Sequence, residues 1–204
     1  MASTVLFPGT VLPMHVTDIE TLMLLEDAIA KDGLVGVVKL DPQAGPTHDG
    51  AAVCEVGCAG RIIHAEKLPN GPYNVLIQGL QRMRLVEEIP GVRPYRCFRV
   101  ELIAEPNEIA LESAWRELGR LESCMMSLRS SLADGDAQLC EVLRSTPDPV
   151  QIADVLAAAV ISNSDLQQQL LAAQDVGQRL AMLIDGLAEV MIREGHPPKE
   201  AQMN

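Results

Sequence analysis

VCEVGCAGRIIHAEKLPNGPYNVLIQGLQRMR, residues Val53 to Arg84, decides how this chain folds. It reads as two long strands and one reversal. Asn70-Gly71 is a strong two-residue hairpin signal, because both central positions of a type I′ turn need positive φ and these residues tolerate it. Apolar runs flank it, Ile62-Ile63 on one arm and Val75-Leu76-Ile77 on the other. Gly57, Gly60 and Gly79 mark bends or close backbone approaches. The stretch predicts a β-lobe built around one long hairpin.

Upstream, Val5-Leu6-Phe7-Pro8-Gly9 and Val11-Leu12-Pro13-Met14-His15-Val16 are apolar runs, each carrying a proline. Proline cannot donate to a ladder, so these runs belong at a sheet edge or a bulge. Thr17 with Glu20 reads as a capping box, Leu22, Leu25 and Ile29 fall on one helical face, and Asp32-Gly33 stops the helix. Leu34 to Val38 then reads as a short buried strand and Asp41 to Gly50 as a loop. After the hairpin, Arg82 to Glu88 and Tyr95 to Ile103 alternate as two more strands, with Phe98, Val100 and Leu102 on one face. About six strands and one inserted helix suit a small barrel or a sandwich, and periodicity alone leaves both open.

From Pro106 the period changes. Leu111, Ala114, Leu118, Leu121, Met125, Leu128 and Leu132 recur three and four apart as one helical seam. Three further helices begin at Asp148-Pro149, at Ser164 with Gln167, and at Asp175 with Gln178. The last carries Val176, Leu180, Leu183, Ile184, Leu187 and Met191 before Gly195 and Pro197-Pro198. The expected organisation is a β-lobe over residues 1–105 and a helical bundle over 106–204.

Two blocks of this sequence resemble the amino-terminal substrate-binding domain of Lon proteases. One is LFPG-x-VLP, with Asp18 downstream and the strand Gly36-Val37-Val38 after a helix. The other is the hairpin, with its E-V-G start, R-I-I arm, L-P-N-G turn and V-L-I-Q-G-L-Q-R-M-R return. The resemblance implies an α+β fold, a PUA-like small barrel followed by a helical bundle. It also implies a non-catalytic, polypeptide-binding role without cofactor. Relatives often carry a leading strand where this chain has Met1 to Thr4, which leaves the Val5 to Val16 edge less covered. The ATPase and Ser-Lys proteolytic modules of a complete Lon protease would follow this region, so a free-standing domain is expected.

Composition narrows the function classes. The 204 residues are 48% hydrophobic but only 2% aromatic, so Leu, Val, Ile, Ala and nine Met must fill the core. The formal charge is −12, which repels phosphate backbones and disfavours general nucleic-acid binding. No apolar run approaches the roughly 18 to 20 residues that span a bilayer. Five cysteines, an odd number in a chain of this size, suit reduced thiols in the cytoplasm. Cys54 and Cys58, four apart on one expected strand face, lack the second pair a zinc finger needs, so thiols are expected there and not a metal site. The sequence contains no G-x-S-x-G, H-E-x-x-H or G-x-x-x-x-G-K-(S/T), and no catalytic residue is assigned.

Two candidate surfaces remain. The first joins the proline-bearing edge, Phe7, Val11, Leu12 and Met14, with Met125 and Met126 of the helical seam. It would take an unfolded or extended polypeptide or a protein partner by strand addition, unless these residues are simply core. The second is Arg82, Arg84, Arg93, Arg96 and Arg99, which would serve an RNA-binding PUA-like protein unless they pair with Glu87, Glu88 and Glu101. Oligomeric state is not readable from the sequence.

Overall fold

The structure, a computed structural model, describes residues 4–41, 43–47, 50–69, 71–91, 93–104, 114–121 and 148–193. The chain separates into two compact units, Met1–Ala104 and Glu105–Asn204. The fold is α+β, with an antiparallel sheet in the first unit and helices in the second.

The first unit contains β1 (Val11–Val16), α1 (Ile19–Ile29), β2 (Leu34–Val37), the two-residue strands β3 (Pro46–Thr47) and β4 (Gly50–Ala51), β5 (Val56–Lys67), β6 (Tyr73–Glu88) and β7 (Phe98–Leu102). The hairpin β5–β6 is its spine. β6 is one continuous 16-residue strand, where the sequence suggests a break near Gly79 and a separate strand from Arg82. Its first half pairs with β1 and its second half with β7, while β5 carries β2 on its far side. The loop that reads as Asp41 to Gly50 contains the β3–β4 pair.

The reversal differs from a two-residue turn. The Leu68 N–H donates to Pro72 O and the Gly71 N–H donates to Leu68 O, so the loop has three residues, 69–71, and Gly71 takes a φ of 105°. Pro69 and Pro72 supply the reason: they would be the closing pair of a two-residue Asn70-Gly71 turn, and neither has the backbone N–H which that pair must donate.

Three register shifts curl the sheet, between Ala59 and Gly60, Ile62 and His64, and Leu85 and Glu87. They leave Leu80, Ile63 and Val86 without opposite partners, and all three apolar side chains are exposed. A bulge adds one residue to one strand, bends it and resets which face each side chain takes. The core of this unit lies under the curl and comprises Leu6, Val16, Leu25, Cys58, Val75 and Ile77. Leu6 belongs to it and Phe7 is also buried, and their backbone passes close to β6 because Gly79 lacks a side chain: a Cβ there would collide with the Phe7 carbonyl. Backbone bonds from Gly9 N–H to Gly79 O and from Gly79 N–H to Thr10 O fix the crossing.

Helix α1 starts one residue later than its capping signal suggests. Asp18, not Thr17, is the N-cap, and its carboxylate accepts from the Thr21 N–H at 2.9 Å. Burial alone would raise the Asp18 pKa, but the Thr21 hydrogen bonds outweigh it and lower it. Leu25 and Ala28 face the core, whereas Ile29 is exposed. Strand β2 is not a buried strand either. It lies at the end of the sheet order with its residues exposed and half-buried in alternation.

In the second unit, α2 (114–121), α3 (Pro149–Val160), α4 (Ser164–Ala172) and α5 (Val176–Arg193) are described. Ala114, Leu118 and Leu121 of the seam are buried, and its remaining members lie outside the described residues. Asp148 caps α3, with Pro149 in the first turn, where its missing N–H costs nothing. Asn163, one residue before the expected Ser164, caps α4 by accepting from the Asp165 and Leu166 N–H groups. Helices α3, α4 and α5 pack together through Leu156, Leu170, Leu171, Leu180, Leu183 and Leu187. Between α3 and α5 lies a wholly buried ion pair, Arg179 Nη1 to Asp154 Oδ1 at 3.1 Å.

Candidate functional groove

The first unit carries an apolar groove of about 620 Å³. Met83 and Leu85 of β6 and Ala59 of β5 line it, with β2 and β7 beside them and Leu24, Thr21 and Glu20 of α1 completing it. Its existence follows from the topology: the register shifts curl the sheet, and among the described residues its β2 and β7 edges do not pair with each other.

The two strands contribute differently. From β7 come Phe98, Val100 and Leu102, every second residue, hence one face of the strand. From β2 and the residues just after it come Leu34, Gly36, Val38 and Leu40, again every second residue, together with Val35 from the opposite face. Successive side chains point to opposite faces, so a cavity that meets Val35 as well as Leu34 meets the strand along its edge. Among the described residues β2 pairs only with β5. The groove therefore combines an apolar face, with Val100 39% and Leu102 60% exposed, and a strand edge with Leu34 45% exposed.

One part of the lining is fixed by charge. Arg96 makes a two-pronged contact with Glu88, at 2.6 and 2.7 Å, donates to Ala51 O at 2.7 Å, and lies 5.1 Å from the centre of the Phe98 ring. The hydrogen bond from Arg96 holds the Glu88 pKa below its usual value. Tyr95 donates to Asp27 Oδ2 at 2.7 Å, which raises the Tyr95 pKa, and Arg93 reaches the same carboxylate at 3.1 Å. The chain leading into β7 is thus tied to both α1 and β6.

The residues singled out in the sequence are dispersed. Phe7 is 0% exposed and has no surface to offer a partner in this fold. Val11 is exposed, and Leu12 and Met14 are half-buried against the core. A second concavity of about 430 Å³, lined by Pro13, Met14, His15 and His64 among others, lies along β1. Met125 and Met126 lie outside the described residues.

The arginines do not form one open patch. Arg82 is 2% exposed, and Arg84 faces Glu55, Arg93 Asp27, Arg96 Glu88 and Arg99 Glu87. Alternating strand geometry and adjacent carboxylates explain the dispersal. Cys58 is buried, whereas Cys54 precedes β5 and so does not share the expected strand face with it. No group of three or more His, Cys, Asp or Glu among the described residues is placed to hold a metal ion. No described helix is long and apolar enough to cross a membrane.

Sequence reading missed the groove because its parts are remote in the chain. The signal that could have located half of it is the alternation Phe98, Val100, Leu102 on a strand whose opposite face carries Arg99 and Glu101.

Comparison with known proteins adds a second line. The family model for the ATP-dependent protease La (LON) substrate-binding domain matches residues 1–189. Lon protease 2 of Myxococcus xanthus is 29% identical over 189 residues, covering 91% of this chain and 22% of its own length. Lon protease of Dictyoglomus thermophilum is 28% identical over 183 residues, covering 88% and 22%. The chain thus spans about 22% of the length of these curated relatives. Among solved structures, the N-terminal domain of Mycobacterium avium complex Lon protease superposes with a TM-score of 0.71 at 19% identity, covering 93% of this chain and 95% of that one. A Lon N-terminal domain protein from Xanthomonas campestris gives 0.60 at 16% identity, covering 90% and 93%.

Proposed function

This chain belongs to the LON substrate-binding domain family, and from that premise we propose that it binds exposed apolar segments of polypeptides in the groove between β2 and β7. The observation that carries the reading is the pairing of an apolar strand face, Phe98, Val100 and Leu102, with the edge of β2 in one concavity. An extended polypeptide needs both: apolar contact for its alternate side chains and backbone partners for its amides. The prior anchoring of Tyr95 and Arg96 reduces the ordering cost of binding.

On this reading the chain does its work by binding, with no bond-breaking step of its own and no cofactor. The thiols of Cys54, Cys58 and Cys97 are in no disulfide, which suits a reducing, cytoplasmic compartment. Whether a protease module acts on the bound segment from the same polypeptide or another does not alter the recognition step. The arginines favour no RNA-binding alternative, because four of the five face carboxylates.

The test is binding of a permanently unfolded model polypeptide to the parent chain and to Val100→Asp, Leu102→Asp and Val11→Asp. Both groove variants are expected to lose about tenfold or more in affinity, and Val11→Asp to bind as the parent does. Loss at Val11 with full binding at Val100 and Leu102 would move the site to the β1 edge and overturn the proposal.

A further inference from the structure

Charge distinguishes the segments this groove can hold, an inference that rests on the binding role above. Two charged side chains line it, Arg96 and Glu20. The Arg96 guanidinium is engaged by Glu88 and by Ala51 O. Glu20 differs. It sits exposed in the first turn of α1, and its carboxylate has no hydrogen bond or ion pair among the described residues. The groove thus presents one carboxylate beside apolar walls, on a protein whose formal charge is −12. Such a site attracts a cation and disfavours an acidic guest, which would meet both the nearby carboxylate and the overall field.

We infer that the preferred guest is an extended segment that pairs with the outer edge of β2, sets alternate apolar side chains on Val100 and Leu102, and places a lysine or arginine against Glu20. β2 has four residues, so pairing is short and cannot by itself discriminate among sequences. Specificity then comes from the side chains: small or branched apolar groups at every second position, as strand addition requires, and one basic group. A segment with its apolar residues at helical spacing cannot place them on β7 while its backbone meets β2.

Blocked eight-residue peptides of alternating valine and serine, with lysine, glutamine or glutamate at one end and then at the other, test this by fluorescence anisotropy on the full chain. At low salt the lysine peptide should bind the parent about two- to fivefold more tightly than the glutamine peptide, with glutamate weakest. Glu20→Lys, an exposed substitution, should reverse that order. Equal affinity for all three, with binding abolished by Leu102→Asp, would overturn the role of Glu20 and leave the groove reading standing. A lysine preference unchanged in Glu20→Lys would equally overturn it. No binding by any peptide, together with no binding of unfolded polypeptide, would remove the groove reading and this inference with it. Sedimentation of the same samples covers the remaining occupant: a dimer of the parent that Leu102→Asp dissociates would make the guest a second copy of the chain and overturn the inference.

Discussion

The β unit and the helical unit place their apolar residues differently. In the β unit, Leu34, Ile63, Leu80, Val86, Val100 and Leu102 are among many large apolar side chains left exposed, whereas Trp115 is the one such residue among the described residues of the helical unit. The helices enclose even an ion pair, Arg179 with Asp154. Regular periodicity allows α3, α4 and α5 to bury a full stripe each, while a curled sheet with bulges and unclosed edges cannot bury both faces. The open apolar surface of the β unit is therefore where recognition is to be sought.

The largest effect on stability should come from the closed side of this contrast. Asp154→Ala leaves the Arg179 charge buried without its carboxylate and should cost about 3–5 kcal/mol, read from the urea midpoint of helical unfolding. Asp154→Leu combined with Arg179→Met should recover most of that loss, because the pair itself contributes little beyond what packing can supply. A mild effect of Asp154→Ala would mean that the helical unit is not sealed around the pair.

Gly79→Ala comes next. The added methyl meets the Phe7 carbonyl, so either the Leu6–Phe7 crossing or the β6 ladder must shift, at about 2 kcal/mol. Thermal unfolding followed by the β signal measures it. An unchanged midpoint would show that this seam of the β unit has slack.

Arg96→Ala should cost about 1 kcal/mol at neutral pH and loosen the groove. The pH dependence has a definite sign. The folded Glu88 pKa is lowered from 4.5, so its contribution is fully present above about that value and disappears as pH falls through the folded pKa. Melting temperatures at neutral pH and at about pH 3 should differ less in Arg96→Ala than in the parent. An equal difference in both would mean that other carboxylates govern the acid response.

The contrast between the units also governs what could be read from the sequence. The hairpin was legible because two apolar arms flank Pro69-Asn70-Gly71, and the helices because their 3-4 spacing is uninterrupted. The bulge at Leu80 falls beside Gly60 and Gly79, which mark a bend in the sequence, but those at Ile63 and Val86 were not legible, since each breaks the period of two at a residue whose type carries no turn signal. Apolar composition made β2 look buried, but its position at a sheet edge depends on pairings set by remote residues. Phe7 looked available as part of a proline-bearing edge, and only the approach to Gly79 reveals why it is enclosed. Arg82 belongs to an arginine-rich sequence run and yet is buried, because strand alternation and a register shift at Leu80 govern its direction. Helix starts at Asp18 and Asn163 moved by one residue because neighbouring side chains are equally able to cap, and backbone geometry makes the choice.

The smallest expected change in stability accompanies the largest in binding. Leu102→Asp, at an exposed position, should alter unfolding by no more than about 0.5 kcal/mol while removing capture of apolar segments. Amide hydrogen exchange on the parent chain, with and without an alternating valine-serine peptide ending in lysine, tests the central claim most directly. The expected result is new protection at alternate amides of residues 34–37 and around 98–102, with residues 148–193 unchanged. Protection confined to residues 11–16, with none at 34–37, would contradict the account.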